Sequence, residues 1–143
     1  MIDLTFRAAK DGFFDREKVQ RAVDASTLRA LSRFGAFVRQ RAKTSIRTKA
    51  GTSPPGSPPY SHTGVLKQFL LFAYDAERKS VVIGPTLIRE GSPAPRLLEH
   101  GGEAILETKR GRKRARYRPR PFMGPAFQAE LPQLPAIWKH SVR

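Results

Sequence analysis

Ile2, Leu4 and Phe6 alternate with Asp3, Thr5 and Arg7, a period of two that predicts a short half-buried strand over residues 1–8. Lys10-Asp11-Gly12 turns the chain, and the period then lengthens. Val19, Val23, Ala30, Phe34 and Phe37, with Leu31, Val38 and Ala42 shifted around the axis, form one broad apolar face of a helix. That helix is expected to run from Asp15, its N-cap, to Arg47, about 45–50 Å if continuous. Asp24-Ala25-Ser26-Thr27 and Gly35 have low helix propensity and are the expected places for a bend or break. Arg29, Arg33, Arg39, Gln40, Lys43 and Arg47 line the opposite side, which is either a solvated face or one turned to a partner or DNA.

Helical patterning stops at residues 48–64. Gly51 to Leu66 holds two proline pairs, three glycines and five serine or threonine residues, so neither a helix nor a central strand can form there. Paired prolines hold the preceding residues extended, making a semi-rigid strap. Pro54, Pro55, Pro58, Pro59, Tyr60 and His62 are its candidate contacts with a neighbouring subunit.

Beyond the strap the pattern turns to short alternating runs. Gly64 to Gln68 predicts one helical turn; Phe69 to Tyr74 and Lys79 to Ile83 predict a hairpin around Asp75-Ala76-Glu77-Arg78, buried against the long helix. A short helix is expected near 94–100, opened by proline and stopped by Gly101. Ala104 to Thr108 and Ala115 to Arg118 predict a second hairpin across a Lys109 to Arg114 loop, and Phe122 to Leu131 a last helix before a tail carrying Trp138. Residues 65–121 thus hold the sheet and 122–143 the C-terminal helix and tail of a single domain. The fold class expected is α+β, an antiparallel sheet packed against one long N-terminal helix, with a C-terminal helix.

Charge changes this picture more than composition does. The 143 residues carry a formal charge of +15, which resists compaction unless nucleic acid, an acidic protein or a membrane surface lies near. No stretch approaches the roughly 20 apolar residues of a membrane span, so a protein made in the cytoplasm and held off the membrane is expected. Cysteine is absent, which removes disulfides and thiolate ligands. His62, His100 and His140 lie on separate segments, Glu99-His100 lacks a second ligand at helical spacing, and no nucleophile elbow or glycine-rich phosphate cradle exists. Asp11, Asp15 and Asp24 read as caps and turn residues rather than a metal cluster. No catalytic residue, metal or cofactor is therefore expected.

Lys109 to Arg120 differs from the rest: Lys109, Arg110, Arg112, Lys113, Arg114, Arg116, Arg118 and Arg120 crowd twelve positions. Such a stretch is either an anion-contacting element that reads backbone charge rather than bases, or a disordered solvated tip.

Four motifs in order then resemble a known family: Pro58 to Lys67 (PPYSHTGVLK), Val81 to Pro85 (VVIGP), Ala94 to Gly102 (APRLLEHGG) and Arg118 to Ala126 (RPRPFMGPA). Together they resemble the head–tail joining proteins of long-tailed bacteriophages, the neck and tail-completion family with minor tail and virion-morphogenesis relatives. The resemblance implies a non-enzymatic virion part at the head–tail junction, commonly a hexameric ring, with neck, portal-side and tail-tube proteins as neighbours and packaged DNA in the channel. The basic run departs from the family pattern and takes no role from it. A small, basic, non-specific nucleic-acid-binding protein is the other expectation, resting on charge alone.

Overall fold

The computed structural model describes residues 15–86 and 93–141. The strand expected at residues 1–8 lies outside them. Helix α1, Arg16–Ser45, runs unbroken for 30 residues, and the Asp15 carboxylate caps it by accepting the Lys18 N–H at 3.0 Å. Neither expected weak point breaks it. Thr27 donates its hydroxyl to the Val23 carbonyl at 2.9 Å. Next to it, the Ser26 hydroxyl and the Arg29 guanidinium converge on the Ser141 carbonyl, at 3.3 Å and 2.8 Å, and so dock the C-terminal segment.

The α1 face buries Ala30, Phe34, Val38 and Ala42, with Ile46 just past its end, against Leu70, Phe122, Ala126 and Ile137. Spacing by four keeps these side chains on one stripe. The predicted face extends further than the core: Val19 and Val23 are 48% and 50% exposed. The basic side of α1 serves its own chain in part, since Arg39 donates to the Leu70 carbonyl at 2.6 Å and Arg41 pairs with the buried Glu130 carboxylate.

One helical turn, α2 (Val65–Gln68), leads into the first hairpin, β1 (Leu70–Asp75) and β2 (Ser80–Pro85), paired antiparallel from Leu70↔Pro85 to Asp75↔Ser80. Asp75 shapes the turn by accepting the Glu77 and Arg78 N–H groups at 3.0 and 3.1 Å. This hairpin lies on α1 at Gly35, where an added Cβ would stand 2.7 Å from Val81 Cγ2 and 3.0 Å from Phe72 Cδ2. Glycine here is a packing residue. Alanine is the better helix former by about 1 kcal/mol, yet overpacking costs about 1–3 kcal/mol. Gly35→Ala is therefore expected to lower stability by about 1 kcal/mol in urea titration; a stabilised variant would show that the hairpin does not seat here.

Asp24 and Lys79 tie the N-terminal half of α1 to the hairpin turn at 2.6 Å. The Lys79 ammonium, then the Gln20 amide, hold the Asp24 carboxyl below its usual value of 3.8, and the carboxylate raises Lys79 above 10.5. The Asp24 contribution is present above the unfolded-state pKa and is lost as pH falls through the lower folded value. That of Lys79 is present below its unfolded pKa and is lost as pH rises through the higher folded one. Asp24→Asn should therefore flatten the acid limb of stability against pH; identical limbs in denaturant titrations of both proteins would refute this coupling.

Helix α3 (Ala94–His100) follows and stops where Gly101, at φ 71°, donates its N–H to the Leu97 carbonyl at 2.8 Å. Strands β3 (Gly102–Thr108) and β4 (Gly111–Tyr117) form the second hairpin, in register from Gly102↔Tyr117 to Thr108↔Gly111. The Lys109 to Arg114 loop expected from the sequence is corrected here. Only Lys109 and Arg110 make the turn, while Arg112, Lys113 and Arg114 are strand. Gly111, at φ 116°, permits the tight closure, and arginines alternating along β4 face Glu103, Ile105 and Glu107 across the ladder. The hairpins form two separate two-stranded sheets rather than one. Helix α4 (Met123–Glu130), a 3-10 turn (Leu131–Gln133) and helix α5 (Leu134–Lys139) complete an α+β fold with a long N-terminal helix, antiparallel hairpins and a helical C-terminus.

Candidate interaction site

Helix α4 begins with Phe122 at its N-cap and has no capping side chain of its own. Pro125 lacks an N–H, so the unpaired donors of the first turn are those of Phe122, Met123 and Gly124. All three are taken by Glu99, from the last turn of α3: Oε2 accepts from Phe122 at 3.0 Å and Met123 at 3.1 Å, and Oε1 accepts from Gly124 at 2.7 Å. A carboxylate at a helix N-terminus also meets the positive end of its dipole. Gly124 is small for this reason, since a Cβ there would lie 3.0 Å from Glu99 Oε1.

The strap closes onto the same place. Gly56 donates its N–H to the Pro119 carbonyl at 2.9 Å, and Arg120 sends its own N–H to the Leu98 carbonyl at 2.6 Å and its Nε to the Ser53 carbonyl at 2.9 Å. At the other end Ser61 donates to the Arg47 carbonyl at 2.9 Å, His62 Nε2 bonds the Gly51 carbonyl at 2.9 Å, and Lys49 Nζ lies 5.6 Å from the Tyr60 ring centre. Of the strap residues expected to touch a neighbour, Pro54, Pro55 and His62 are exposed, Pro58 and Tyr60 half-buried, and Pro59 buried. Their backbone is anchored in their own chain.

The basic residues divide into three groups. Arg120 is folded inward and holds the strap. Arg112, Arg114 and Arg116 alternate along β4, with Arg112 Nη2 3.5 Å from Glu107 and Arg114 Nη1 3.9 Å from Glu103. Lys109, Arg110, Lys113 and Arg118 are exposed without an acidic partner among the described residues. Exposed pairs of this kind contribute little, about 0–1 kcal/mol. The ribbon also exposes apolar area: Ile105 is 62% and Leu106 40% exposed, beside a pocket of about 260 Å³ between β3–β4 and Leu97 and Leu98 of α3.

Sequence reasoning passed over Glu99 as half of an incomplete metal pair. The signal that marks it is the start of α4, where Phe122 and Pro125 leave an N-terminus that must borrow an acceptor. Among the described residues, no three His, Asp or Glu side chains gather closely enough to hold a metal, and no helix is long and apolar enough to cross a membrane. Compared with known proteins, the chain matches no family model, no curated protein and no solved structure.

Proposed function

We propose that this chain is a structural virion protein of the phage head–tail connection, a neck, tail-completion or tail-terminator component that joins the tail tube to the capsid connector around the DNA channel. The observation that carries this reading is that two of the four resembling stretches, Ala94–Gly102 and Arg118–Ala126, meet at one node, onto which the strap just ahead of a third also closes. Leu98 and Glu99 bond the Arg118–Ala126 segment at Arg120 and Phe122, and the strap residues Ser53 and Gly56, which precede Pro58, bond Arg120 and Pro119, so these segments are held together as the reading expects. Among the described residues twelve large hydrophobic side chains are exposed, from Val19 on the long helix to Trp138 near the C-terminus, apolar area that neighbouring subunits would cover in a ring.

The charge of +15 favours the second reading, a basic protein that binds nucleic acid without sequence preference. Light scattering at two salt concentrations, with and without duplex DNA, separates the two. Rings that ignore free DNA are expected; a monomer that coats DNA with a steep salt dependence would overturn the virion reading. Within that reading, neutralising Arg110, Arg112, Lys113 and Arg114 together should reduce particle assembly or DNA retention, and an unaltered yield of infectious particles would count against a role for the ribbon.

A further inference from the structure

A two-stranded ribbon is marginal in water until a third strand or a helix completes it, and β3–β4 has both edges free among the described residues. A two-residue turn closes on a hydrogen-bonded pair, here Thr108↔Gly111, and such pairs alternate with pairs whose N–H and C=O groups point outward. The outward-pointing positions are therefore Glu103, Ile105 and Glu107 on β3, and Arg112, Arg114 and Arg116 on β4. All of these residues but Ile105 carry charge, with opposite sign on the two edges.

We infer that the β4 edge of one copy pairs antiparallel with the β3 edge of the next, joining ribbons side by side. The parity of the ladder then forces Arg112, Arg114 and Arg116 to face Glu103, Ile105 and Glu107 of the neighbour on one sheet face. Pairing β4 with β4 would set arginine against arginine, and β3 with β3 glutamate against glutamate, both unfavourable directly across strands. Only the head-to-tail arrangement matches charges, and head-to-tail contacts are those that close into rings. Pairing also covers Ile105 with arginine stems, which accounts for an exposed isoleucine that a phosphate-binding role leaves unexplained. This inference rests on the ring reading proposed above and specifies its subunit contact.

The absence of cysteine makes the test direct. Hydrogen-bonded partners across an antiparallel ladder have Cα atoms about 5.5 Å apart, within disulfide reach. Ile105→Cys protein is mixed in turn with Arg112→Cys, Arg114→Cys and Arg116→Cys protein and oxidised; these single exposed substitutions leave the core untouched. One mixture is expected to give a disulfide-linked pair at least about tenfold above either variant oxidised alone. Equal yields from single variants and mixtures, or no cross-link in any mixture, overturn the edge pairing. Light scattering on the same samples reports separately on the virion reading. Rings without the preferential cross-link would refute this contact and leave the joining role standing.

Discussion

Phe122→Ala is expected to lower the free energy of unfolding by about 3–5 kcal/mol, the range for a fully buried phenylalanine. Phe122 is only 1% exposed and sits in the cluster that joins the long helix to the C-terminal helices, where Ala126 and Ile137 also pack. Its removal leaves a cavity that rigid neighbours cannot fill, because Phe34, Val38 and Leu70 are held on other elements. In a chain of this length the thermal midpoint should fall by roughly 10–15 °C. The backbone N–H that Glu99 binds is unchanged, so the loss reads packing alone. A fall below about 1 kcal/mol would show that the cluster repacks and that the C-terminal helices are not essential to the core.

Glu99→Ala is the second large effect, about 2–4 kcal/mol, because three N–H donors lose a charged acceptor together. Glu99→Gln should cost roughly half of that, since one carbonyl oxygen remains but the charge opposing the helix dipole is gone. Hydrogen exchange at the amides of residues 122–124 discriminates this from a general loss of stability, as those amides should exchange faster than the helix α1 core. If they exchange no faster, the carboxylate is not their acceptor in solution. The two substitutions act on one helix and are expected to be non-additive in a double-mutant cycle.

Glu99 and Arg120 together give the node a functional consequence. Arg120 connects the strap, through the Ser53 carbonyl, to the segment that leads into α4, and Glu99 fixes where α4 begins. The exposed prolines Pro54 and Pro55 are thereby presented on a frame anchored at both ends, which lowers the ordering cost of any contact they make. The ribbon is set by the same frame, because Gly101 precedes it and passes so close to Tyr117 and Pro119 that a Cβ would lie 2.9 Å from the Tyr117 carbonyl oxygen.

Local pattern and turn chemistry were enough to read the elements. The long helix, the first hairpin, the short helix stopped by Gly101 and the α+β class follow from apolar periodicity and from glycine and proline, whose effects act within a few residues. What those residues could not disclose is long-range. Ser26 reads as a helix breaker because propensity is local, whereas its hydroxyl is taken by a distant carbonyl at Ser141. Gly35 reads as a weak point, and only the approach of Val81 and Phe72 makes it a packing requirement. The basic run reads as a loop because its charges are crowded along the chain, whereas the backbone ladder with β3 makes Arg112 to Arg116 strand, with Glu103 and Glu107 across from Arg116 and Arg112. Glu99 and Phe122 stand 23 residues apart, and no periodicity connects a carboxylate to backbone donors at that separation. Elements are determined by neighbours in sequence, and the site by neighbours in space, which only the packed chain brings together.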